Sequence, residues 1–154
     1  MAVIANTARR VATVHSTLSS VGLLVLRVAF GGMMLFGHGW GKLTSFADGA
    51  EKFADPLGIG PTASMAGAVF SEVVCAGLVM VGLVTRVACV PLVFTFVVAA
   101  FLVHGKDPFF MAGGAAKEPA LLYLCAFLAL LFTGPGRFSI DDVIHRRVRT
   151  KPAA

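Results

Sequence analysis

The chain reads as four long apolar stretches separated by short polar connections. They cover about Ser20 to Gly39, Thr62 to Val84, Arg86 to Val103 and Glu118 to Phe132, and a helix that crosses a bilayer needs about 20 mostly apolar residues. Short connections set consecutive helices side by side and antiparallel. The pattern predicts an all-α integral membrane protein, an up-down-up-down four-helix bundle over residues 19–136, with a polar arm at 1–18 and a basic tail at 137–154. Local signals place the breaks: Gly60-Pro61 precedes the second helix, Val84-Thr85-Arg86 turns tightly into the third, Glu118-Pro119 opens the fourth and Gly134-Pro135-Gly136 closes it. Ser139 followed by Asp141 and Asp142 signals a short surface helix beyond. Gly67, Ala68, Ser71, Cys75, Ala76 and Gly82 give the second helix a small-residue face for close packing. Trp40 suits the headgroup level, and the loop Leu43 to Pro61, with its scattered apolar side chains, is expected to pack back onto the membrane surface.

Composition agrees with this pattern and excludes an ordinary soluble domain, since 57% of the residues are hydrophobic and only 14% charged. Arg27 interrupts what would otherwise be the core of a signal peptide, so the first stretch is read as a retained helix. Arg9, Arg10, Arg86, Arg137, Arg146, Arg147, Arg149 and Lys151 fall at one set of helix ends, whereas Lys42, Lys52, Lys106 and Lys117 are interspersed with acids at the other. The excess of basic residues on the cytoplasmic side of membrane proteins then puts both termini in the cytoplasm. This topology accounts for the net charge of +5. Binding of the tail to anionic lipid follows more readily than nucleic-acid binding, because the basic residues are divided between a short arm and a short tail. Cys75, Cys89 and Cys125 each lie in an apolar stretch without C-x-x-C spacing and read as small hydrophobes.

Arg27 and Glu72 are the residues a bilayer tolerates least. A charge at bilayer depth costs roughly 2.5–3.5 kcal/mol on insertion scales, so such residues are generally paired, turned inward and functional. Arg27 and His38 are eleven apart and share a face of a regular α-helix. At ~1.5 Å per residue, Arg27 lies ~10 Å and His38 roughly 27 Å above Ser20, and Glu72 about 20 Å above Thr85. Lys42, His104 and Glu118 reach the outer level. The expected site is thus a polar pocket open to the outer side with Glu72 at its floor, formed by Arg27, His38, Lys42, Glu72, His104 and Glu118. No metal is expected: the histidines and carboxylates come from different helices, lack the Glu-x-x-His spacing of di-iron bundles, and have cationic Lys42 beside them.

The ordered motifs Leu26-Arg27-Val28-Ala29-Phe30-Gly31, His38-Gly39-Trp40-Gly41-Lys42-Leu43, Glu72 with Gly77 to Arg86, Glu118-Pro119-Ala120-Leu121-Leu122-Tyr123 and Gly134-Pro135-Gly136-Arg137-Phe138-Ser139-Ile140-Asp141 resemble those of the DoxX family, over about residues 20 to 142. The resemblance implies a multi-pass protein of the bacterial plasma membrane with ties to oxidoreductases. The related DoxD proteins are associated with thiosulfate oxidation coupled to quinone reduction, and some DoxX proteins with thiol and oxidative-stress defence. By motif position, Arg27, His38, Lys42, Glu72, Arg86, Glu118 and Asp141 correspond to the family's polar signature.

Two functional readings follow. In the first, the chain is the membrane subunit of a redox system that binds a quinone or a small sulfur species in the outward-facing pocket. Arg27 or Lys42 would hold an anion or a quinone oxygen, and Glu72 and His38 would relay a proton. No intrinsic cofactor is expected, so electrons would come through a soluble or membrane-bound oxidoreductase partner or through the quinone itself. In the second, the chain is a non-catalytic membrane anchor or assembly factor whose buried polar residues fix helix packing. Homo-oligomerisation is left open by the sequence.

Overall fold

The computed structural model describes the backbone of residues 2–111 and 113–149, with side chains from residue 16 onward. Among the described residues every regular element is helical. Helix α1 (Ala2–Met34) continues through a π-helical turn, Leu35–Gly39, into Trp40–Thr44. Helix α2 (Pro61–Val81) contains a π turn at Phe70–Cys75, and α3 (Thr85–Val103) ends in one at Ala99–Val103. Helices α4 (Glu118–Thr133) and α5 (Ile140–Arg149) complete the chain. Ser16–Thr44, α2 and α3 are each long and apolar enough to cross a membrane, and α4 is a shorter apolar helix. Its 16 residues come to roughly 24 Å at ~1.5 Å each.

The expected helices are all present, with shifted ends. The backbone of the expected polar arm is the first part of α1, while the side chains of Arg9 and Arg10, and the whole of Lys151, lie outside the described residues. The first helix runs past Gly39 to Thr44 because the π turn bends the register without breaking the rod. The second stops three residues short of the expected end, at Val81. Gly82 there has φ +74°, and the Leu83 N–H donates to the Leu78 carbonyl at 3.0 Å, which closes a Schellman-type cap.

Helix α1 packs on α2 and α4, and α3 packs on α2 and α4. Their shared core holds Met34, Val79, Leu92, Phe96, Phe127 and Leu130, with Cys75 and Cys89 among them as free thiols. Gly31 brings α1 close to α2: a Cβ there would stand 3.0 Å from the Ala76 carbonyl oxygen. Small residues at such crossings let backbones approach, as membrane helices require. The outer faces remain apolar, with Val25, Phe36, Val87, Phe101, Leu122 and Phe132 all exposed. Exposed apolar surface along whole helices is the distribution a lipid solvent favours. Ser139 caps α5 as its sequence signals, its Oγ accepting from the Asp142 N–H at 3.2 Å.

Candidate functional site

Two of the three π turns meet at the most buried carboxylate. Within the first, Gly39 lies against the backbone of Glu72, where a Cβ would stand 2.7 Å from the Glu72 carbonyl oxygen. Only glycine allows that approach, and it sets the height at which Lys42, one helical turn on, can reach across. The Lys42 Nζ donates to both carboxylate oxygens of Glu72, at 2.5 and 2.6 Å. The Glu72 side chain is 6% exposed and that of Lys42 29%, so the pair is largely withdrawn from water on the Glu72 side.

The π turn explains why Arg27 and His38 do not share the face that regular α geometry gives them. An i→i+5 turn contains one residue more than an α turn, which rotates everything beyond it by about 100°. The buried position one stripe beyond Arg27 and Met34 becomes Gly39 in place of His38. Lys42 follows Gly39 into the interior and His38 turns outward.

Lys42 and Glu72 form part of the wall of a cavity of about 490 Å³ between α2, α3 and the loop after α1. Ser64, Thr95 and His104 supply its other polar lining, and the remainder is apolar. Phe53, Pro56, Leu57 and Ile59 cover one end, so the loop packs onto the helices rather than standing away from them. Asp55 fixes this cover: its carboxylate accepts from the Ser64 hydroxyl at 2.7 Å, the Gly60 N–H at 2.8 Å and the Ile59 N–H at 3.1 Å. Those bonds, the Ser64 hydroxyl foremost, hold the Asp55 carboxyl below its ordinary value of 3.8.

Of the six residues expected to converge, Lys42, Glu72 and His104 line the cavity and the other three do not. His104 is engaged by Asp107, with 2.7 Å between Nδ1 and Oδ2. His38 is exposed and sets its ring edge-to-face against Tyr123, 5.6 Å between centroids. Glu118 staples the loop before α4, its carboxylate accepting from the Met111 N–H at 3.1 Å and its own N–H donating to the Phe109 carbonyl at 3.0 Å.

Arg27 belongs to the opposite end of the helices. It is fully buried, and its guanidinium donates to the carbonyl oxygens of Phe138, at 2.6 Å, and Met80, at 3.4 Å. Gly82 leaves room for it, because a Cβ there would collide with the Arg27 guanidinium. Asp141 completes the junction by accepting from the N–H groups of Val84 and Thr85, at 2.7 and 3.0 Å, and from the Thr85 hydroxyl at 3.0 Å. A carboxylate from one segment thus caps the N-terminus of α3 in another. The polar positions therefore divide into a cavity pair and a junction at the far end, and do not form one column.

Sequence reasoning quoted Tyr123 and Gly39 within motifs but gave neither a role. Tyr123 stacks on Phe96 at 5.1 Å, meets Phe30 and His38 edge-on, and lies within electrostatic reach of Glu72. It is the chain's single tyrosine, half-buried in a largely apolar helix, and a phenol withdrawn from water favours a polar neighbour. That was a usable signal. Gly39 carried none, since nothing in an isolated glycine tells close approach from flexibility.

Among the described residues no three of His, Cys, Asp and Glu gather in a group that could hold a metal ion. Lys42 and Glu72 place an ammonium donor and a carboxylate acceptor side by side in a mostly apolar wall.

Fold and surface together define a helical membrane protein. The DoxX family model matches residues 22–105, which include α2, α3 and the Lys42–Glu72 pair. The chain belongs to the DoxX family. It is 33% identical over 128 residues to an uncharacterized membrane protein of Mycobacterium tuberculosis, covering 68% of this chain and 77% of that one. It is also 28% identical to an uncharacterized protein of Haemophilus influenzae, over 86% of this chain and 89% of that one. The inner membrane protein YqjF of Escherichia coli is 27% identical, over 84% and 97% respectively. No solved structure matches the chain.

Proposed function

We propose that the protein is the membrane subunit of a redox system, an up-down-up-down four-helix bundle that binds a quinone or a small sulfur species beside Lys42 and Glu72. The observation that carries this reading is an ion pair set into the wall of a mostly apolar cavity. Lys42 would hold an oxygen of the bound group through its third N–H, and Glu72 would accept or return a proton at its carboxylate. His38 stands outside the cavity with its ring edge-on to Tyr123, and His104, which lines the cavity and pairs with Asp107, is the imidazole placed to take that proton onward. A bound quinone would supply a two-electron, two-proton acceptor; the electrons require a partner oxidoreductase. Both termini are assigned to the cytoplasm. What supports this is the placing of Arg86 and Arg137 at the junction end, near Phe132 and Ser20, since basic residues beside spans are retained on the cytoplasmic side.

The anchor or assembly-factor reading draws support from the same pair, since mutually neutralised charges can serve only to fix helix register. Native purification followed by mass spectrometry separates the two. The redox-site reading predicts a co-purifying quinone or sulfur compound that is lost in Glu72→Gln and Lys42→Met variants. An anchor predicts no such compound even in the wild type, with co-purification of its partner falling in each variant only in proportion to the lost stability.

A further inference from the structure

We infer that the ligand of the Lys42–Glu72 site is a neutral amphiphile that enters from the lipid phase between α2 and α3, its oxygen-bearing head at the ion pair and its tail in the cleft. The inference rests on the site reading above and narrows its substrate class.

Three observations carry it. First, the loop side of the lining is apolar, Phe53, Ala54, Pro56, Leu57 and Ile59, and its backbone is held through Asp55. A small hydrophilic anion finds no polar side chain among these to replace its water. Second, the cavity walls reach residues on the lipid side of the helices: Phe70 of α2 is 52% exposed and Phe94 of α3 58%. Between these phenylalanines the wall of α2 is made of Ala63, Gly67 and Ala68. A Cβ at Gly67 would meet nothing within 4 Å, so the space beside it is open to a chain. Third, Lys42 and Glu72 neutralise one another at 2.5 Å. An anionic head would gain from Lys42 and lose comparably to Glu72, and a cationic one the reverse, whereas a hydroxyl or carbonyl can hydrogen-bond to the pair at no charge cost. A quinone and a long-chain or isoprenoid alcohol share this chemistry. The volume of about 490 Å³ accommodates such a head and the first part of its tail, within the roughly 300–1,000 Å³ of small-molecule sites.

The test uses the full chain in phosphatidylcholine vesicles and tail-diazirine photoprobes that differ only in the head: a benzoquinone, an alcohol and a carboxylate. Labelled residues are mapped by peptide mass spectrometry. The alcohol or the quinone, or both, should label the facing sides of α2 and α3 around Gly67 and Val98, severalfold above lipid-facing positions such as Val25 and Leu122, and the carboxylate should not. Labelling of α3 by both heads assigns the shared chemistry; labelling by one names the source. Gly67→Leu, whose Cβ meets nothing within 4 Å and whose longer side chain takes up the opening, should abolish this selectivity. Labelling spread evenly over the lipid-facing surface and indifferent to Gly67→Leu would overturn entry from the lipid. In that case, Glu72-dependent binding of water-soluble, tailless benzoquinone or of thiosulfate would leave the site reading standing. If neither cleft labelling nor tailless binding changes in Glu72→Gln, the site reading falls together with this one.

Discussion

Glu72 and Arg27 answer the same physical problem in different ways. Glu72 is neutralised by a partner on another helix, and Arg27 is hydrogen-bonded by carbonyl oxygens at helix and loop ends with Asp141 as the nearby opposite charge. Substituting Arg27 by Met leaves the Met80 and Phe138 carbonyls without their donor, at about 1–3 kcal/mol for each group stranded in the interior. The expected outcome is a clear fall in thermal stability, with Lys recovering only part because one ammonium replaces a fork that spans two acceptors. Gly39→Ala should destabilise by about 1–3 kcal/mol through overpacking against Glu72. Gly37→Ala, whose Cβ would meet nothing within 4 Å, should leave unfolding unchanged. That these charges are buried was legible from the sequence, because composition alone makes an ionisable residue in an apolar run anomalous. Their partners were not. Pairing depends on helix phase, and the π turn at Leu35–Gly39 exchanges His38 for Gly39 on the inner face with no residue type that announces it.

At the scale of elements, turns carry the strain and distant side chains hold it. Val84, a β-branched residue, sits at φ +43°, a conformation L side chains rarely adopt. Its N–H bond to Asp141 compensates. Asp141→Ala should therefore destabilise the α2–α3 turn by about 0.5–2 kcal/mol as a lost cap, and Val84→Gly should be neutral or stabilising in the same unfolding assay. The loop cover depends on acidity. The Asp55 carboxyl titrates below 3.8 when folded, so its contribution is complete above that value and is lost as pH falls through the lowered one. Hydrogen exchange at the Ile59 and Gly60 amides should accelerate only in that acidic window, and Asp55→Asn should remove the dependence. Helix starts at Pro61 and Glu118 and the α5 cap at Ser139 were legible because Pro, Gly and Ser act locally. The Asp141 cap was not, since its recipients are more than fifty residues away.

Across the whole molecule the inside-out distribution of apolar residues follows from a lipid solvent, and the number of helices followed from run length alone. A cavity formed by α2, α3 and a loop has no signature in any one segment, which is why the site was expected to be more polar and to include residues that face elsewhere. In the proposed site Lys42 and Glu72 act as a pair whose individual identities matter to a ligand. In nanodiscs, Lys42→Met, which leaves the buried Glu72 unpaired, should be destabilised by about 3–5 kcal/mol, Glu72→Leu by less because Lys42 keeps access to water, and the double variant much less than Lys42→Met alone. The most direct test exchanges the charges. Lys42→Glu/Glu72→Lys is compared with the wild type by the rise in Tm on adding a tailed benzoquinone. The account predicts a folded swapped protein with no ligand-induced rise, against a clear rise in the wild type; an equal rise in both would contradict it.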